Sequence, residues 1–137
     1  MVVYIDQFKC KQDIADQFSG FYYHEEEDNQ SQGGPIYEEE SRENREIMAL
    51  LNSSEVLLAW YGRGCWDGHA MVVYRTKEGQ LYEVNGSHCS CYGLEGRWDP
   101  EETNYKALAM RDPSNIDSDL DFIEAYKEML EILKDNK

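Results

Sequence analysis

Three of the chain's four cysteines and two of its three histidines fall between Trp60 and Trp98: Cys65, His69, His88, Cys89 and Cys91. Thiolates and imidazoles are the ligands that tetrahedral zinc prefers. Cys65 and His69 offer one pair. Cys89 and Cys91 offer a second, because residues two apart on extended chain point the same way. Three cysteines with His69 or His88 in the fourth place would make a closed, structural site, leaving no open position for water. The gap between Cys89 and Cys91 is tighter than the usual ligand spacing. Zinc is the one cofactor these residues suit.

The same residue types also allow a nucleophile. Cys65 or Cys91 would be activated by His88 or His69, with Asp67 as an orienting carboxylate. Cys89 suits that role less, since it adjoins His88 and neighbouring side chains on extended chain diverge. A Cys89–Cys91 disulfide would be strained and easily reduced. The simplest reading is packing, because free cysteines are among the most buried residues. Cys10, four residues before Ile14 and eight before Phe18, is expected in the core on that ground.

Val56–Tyr61 and Ala70–Tyr74 are nearly continuous apolar runs, as expected of strands covered on both faces. Lys77-Glu78-Gly79 is a turn, and Leu81–Val84 returns as a third strand. A sequential antiparallel meander brings the Gly62–Gly68 loop and the Asn85–His88 exit to one end of the sheet. Val2–Ile5 and Phe21–Tyr23 read as short strands. Cys10–Phe18 and Glu38–Asn52 read as helices. Asp99-Pro100-Glu101-Glu102 carries the cap, proline and glutamate of a helix start, for a helix that reaches Leu108 and stops before Asp112-Pro113. A last helix, capped by Ser118 and Asp121, carries Phe122, Ile123, Tyr126, Met129, Leu130 and Leu133 on one stripe. The fold expected is α+β in a single domain over residues 1–137. It is a small antiparallel sheet, the three-stranded meander plus short N-terminal strands, packed against three to four helices.

The net charge is −15, from 28 acidic and 13 basic residues. Such a charge repels phosphate backbones, so direct nucleic-acid binding is not expected. A protein partner with a basic surface is. The candidate contacts are the runs Glu25, Glu26, Glu27, Asp28 and Glu38, Glu39, Glu40, with Trp66 and Trp98 as aromatic anchors. Residues 24–35 are expected to form a mobile acidic loop, with His24 on its surface. No apolar run approaches the roughly 20 residues that cross a bilayer. Met1–Asp6 lacks the basic segment of a signal peptide. A cytoplasmic location with reduced thiols is the expectation.

Two resemblances bear on origin and activity. Gly86-Ser-His-Cys-Ser-Cys-Tyr-Gly-Leu-Glu-Gly-Arg-Trp-Asp-Pro-Glu-Glu102, with the hairpin before it, is similar to a segment of small uncharacterised proteins of bacteriophages and prophages. The similarity covers residues 56–111 and carries no established activity, so no catalytic residue transfers. It implies a viral or prophage origin and a bacterial cytoplasm as the workplace. Residues up to Asn52 lie outside it. The hairpin from His69 to Gly86 also resembles the catalytic-histidine hairpin of papain-like amidases. In those enzymes the nucleophile begins an earlier helix, a place only Cys10 can take here, without the family's Asp-Cys-Ser/Gly surroundings.

The leading expectation is an acidic phage-type accessory protein. It would bind and inhibit a host nucleic-acid-handling or defence complex, in the manner of an anti-CRISPR or DNA-mimic protein. The alternative is a zinc-binding or cysteine-nucleophile enzyme built on the Cys/His cluster.

Overall fold

A computed structural model describes residues 3–20, 35–63, 67–89 and 93–135, with residues 35–40 as helix backbone alone. Strands β1 (Tyr4–Asp6), β2 (Glu55–Arg63), β3 (Gly68–Arg75), β4 (Leu81–His88) and β5 (Glu101–Thr103) form one mixed sheet in sequence order. β1 runs parallel to β2 and the other pairs are antiparallel. Helices α1 (Lys11–Ser19) and α2 (Pro35–Asn52) cover one face, α3 (Tyr105–Ala109) and α4 (Leu120–Lys134) the other. The fold is α+β, with the central meander as expected.

Two cores follow from strand alternation. Trp60, Met71 and Val73 point to the α4 face with Phe122, Tyr126 and Met129. Ala59, Tyr61, Ala70, Val72 and Tyr74 point to the α1/α2 face with Ile14, Phe18, Ile47 and Leu51. The apolar runs in β2 and β3 are continuous because both faces are covered. Leu57 and Leu58 both join the α4 core, since a bulge between Val56 and Leu58 adds one residue to β2.

Several local expectations are corrected. Residues 101–103 form a strand, not the first turn of a helix. Leu81 pairs with Thr103 and Glu83 with Glu101, so completing the sheet outweighs the Asp99-Pro100 cap signal. The helix starts later, where Asn104 Oδ1 accepts the Ala107 N–H at 2.8 Å. Asp119, rather than Ser118 or Asp121, caps α4 by accepting the Asp121 and Phe122 amides. Cys10 is exposed at the N-cap of α1, one residue before the helix and four before its first buried residue, Ile14. Phe21–Tyr23 and most of the acidic loop lie outside the described residues.

Candidate functional site

Gly68 pairs with Arg63 on one side and His88 on the other, so the ends of the two loops converge as the meander requires. Alternation then separates their histidines. His69 lies on the Met71/Val73 face, with Nδ1 3.7 Å from Asp117 Oδ2, beyond hydrogen-bond range. His88 lies on the Val84 face, buried against Tyr61. Side chains on opposite faces of a sheet cannot meet at one metal ion, so His69 and His88 do not ligate together.

His88 is also chemically occupied. Its Nδ1 is 2.8 Å from the Cys89 carbonyl, which only accepts, so Nδ1 carries the proton. In the neutral ring Nε2, 2.7 Å from Tyr61 Oη, then accepts from that hydroxyl. Cys89 is exposed. Cys10 sits on α1, across the sheet from His69, so the pair implied by the amidase-like hairpin is not assembled. Among the described residues no three histidines, cysteines or carboxylates are grouped to hold a metal ion. Cys65, Cys91, Trp66 and Glu25–Asp28 lie outside the described residues. Glu38, Glu39 and Glu40 lie in the early turns of α2, where only the backbone is described. Trp98 is half-buried, edge-on to Phe18 at 5.1 Å and stacked with Tyr74 at 6.2 Å.

A feature absent from the sequence reading lies on the α4 side of the same sheet end. Asp6 closes β1 with φ at 62°, in the left-handed region that aspartate tolerates better than most residues. Strict alternation would aim its side chain with Tyr4 toward the α1/α2 face. The left-handed turn brings the carboxylate to the other face instead, where the Trp60 indole N–H donates to Asp6 Oδ2 at 3.0 Å and Asp119 Oδ2 at 3.2 Å. Trp60 is a core residue stacked on Phe122 at 4.2 Å. The hydrogen bond to Asp119, together with burial and that carboxylate's charge, pushes the Asp6 carboxyl up to about 6. Asp119 is held below the ordinary carboxylate range, first by Asp6 and then by its capping amides and Trp60. Of the two acids, Asp6 is therefore the one that takes up a proton first as pH falls.

This pair stands in a cleft of about 470 Å³, lined also by Arg63, Asp67, His69 and Asp117. A second cleft of about 280 Å³ continues from Asp6 between β1 and α4, lined by Tyr4, Ile5, Asp121, Glu124, Ala125 and Glu128. Asp6 belongs to both. Among the described residues, seven carboxylates thus border the groove formed by these two adjoining clefts, against one arginine and one histidine. Asp121, Glu124 and Glu128 share one flank of α4 because residues three and four apart are neighbours on a helix. That spacing was legible in the sequence; the position of Asp6 opposite them was not. The groove is built to attract cationic groups.

Comparison with protein-family models, with curated proteins and with solved structures finds no match to this chain.

Proposed function

We propose that this protein is an acidic accessory protein of phage type that occupies the basic, nucleic-acid-handling surface of a host protein or defence complex. The observation that carries the reading is the groove of seven carboxylates running from the sheet end along α4. In it, carboxylates take the place of phosphates against lysines and arginines, with fast and salt-dependent association. The net charge of −15 extends the same field over the molecule. The phage resemblance of residues 56–111 supplies the host context.

The test is a pull-down from bacterial lysate at low and high salt, with wild type and with a Glu124→Lys/Glu128→Lys variant. Expected is a saturable, salt-sensitive complex with a nucleic-acid-binding protein, displaced by added DNA or RNA and weakened in the variant. The absence of any saturable, salt-sensitive partner would overturn the proposal.

A further inference from the structure

The acidic groove has a backbone wall. β1 is the outer strand of the sheet, and its ladder to β2 uses alternate peptide groups. The Ala59 N–H donates to the Val3 carbonyl at 2.9 Å, and the Gln7 N–H donates to the Tyr61 carbonyl at 3.1 Å. With Tyr4 opposite Ala59 and Asp6 opposite Tyr61, this parallel register turns the Tyr4 N–H, the Tyr4 carbonyl and the Asp6 N–H away from β2. Among the described residues no strand takes them up. They border the cleft whose far side is Asp121, Glu124 and Glu128.

An unpaired strand edge is a template for another chain, and sheets blunt such edges with lysines, prolines or covering segments. Here the edge is flanked by carboxylates instead. We propose that β1 accepts an extended basic segment of a partner protein as a sixth strand. Its backbone pairs with Tyr4 and Asp6, and every second side chain, lysine or arginine, lies against the carboxylates of α4. Charge selects the occupant. A second copy of this chain, at −15, and the chain's own Glu25–Asp28 run both carry the sign of the groove. β1 spans only three residues, so the pairing is short and the ionic contacts supply much of the affinity. This inference rests on the proposed function and specifies how the basic partner is held.

The experiment titrates the full chain with a ten-residue acetylated peptide alternating lysine and threonine, read by fluorescence anisotropy and by hydrogen exchange at the Tyr4 and Asp6 amides. Two N-methylated versions of equal charge block the lysine amides in one and the threonine amides in the other. Expected is saturable binding that weakens with salt and slows exchange at Tyr4 and Asp6. One N-methylated version is expected to be tolerated and the other to lose at least tenfold in affinity. Equal binding of all three peptides, with the two amides unprotected, would overturn strand addition and leave the charge-based reading standing. Failure of the peptide to bind, while the wild-type chain still captures a salt-sensitive partner that Glu124→Lys/Glu128→Lys releases, would overturn it in the same way. Failure of both peptide and partner capture would overturn both.

Discussion

Asp6, at the end of an edge strand, and Asp119, the residue that caps α4, both accept from the Trp60 indole N–H, at 3.0 and 3.2 Å. The first strand is thereby tied to the start of the last helix where the two acidic clefts adjoin. The left-handed backbone at Asp6 makes the contact possible.

That pair sets a pH dependence. Asp6 has an ordinary carboxyl pKa of about 3.9 when unfolded and about 6 when folded. Between about pH 4 and pH 6 the folded state holds a proton that the unfolded chain has lost, so stability from this group falls as pH rises. Asp6→Asn keeps a side chain that tolerates the left-handed region and removes the titration. Urea midpoints are expected to flatten over this window, with a gain near neutral pH of about 1 kcal/mol or less, since the group is partly exposed and screened.

The Glu83–Arg111 pair is a stronger structural tie. Glu83, 3% exposed, is gripped by both guanidinium nitrogens at 2.6 and 2.7 Å and by Asn85 at 2.8 Å. Burial alone would raise its carboxyl, but these bonds hold it below the usual range. Arg111→Ala leaves the carboxylate buried and is expected to cost about 3 kcal/mol in chemical denaturation. Arg111→Lys should recover only part of that, because an ammonium cannot bind both oxygens in a fork. This contribution is present above the unfolded glutamate value of about 4.3 and is lost as pH falls through the depressed folded value.

Gly68 owes its place to His88. A Cβ there would sit 2.4 Å from His88 Nε2 and 3.0 Å from Tyr61 Cε1. Its backbone does not adopt a positive φ, so close approach and not turn geometry demands glycine. Gly68→Ala is expected to cost about 1–3 kcal/mol. In a His88→Ala background the cost should shrink, a coupling that a double-mutant cycle measured by thermal melting detects.

Cys10 and Cys89 are exposed free thiols. Both are expected to react promptly with a thiol reagent in the native protein, with or without chelator. Elemental mass spectrometry of untagged protein runs beside this titration. One zinc per chain, with Cys89 reacting only after chelation, would instead place that thiol on a metal.

The meander, the helix over Glu38–Asn52, the stripe of α4 and the convergence of the two loops were legible in the sequence, because each depends on local periodicity and turn chemistry. The acidic character was equally plain, since charge is additive along the chain. Three matters were decided by tertiary structure. Residues 101–103 became a strand because the edge of β4 needed a partner, and a long-range ladder outweighed a local cap. His69 and His88 parted because their register placed them on opposite faces, and pairing register is invisible to a spacing argument. Asp6 met Asp119 because one left-handed residue reversed the alternation of β1, bringing together two acids from opposite ends of the chain that only the packed sheet and α4 could hold within reach of one indole.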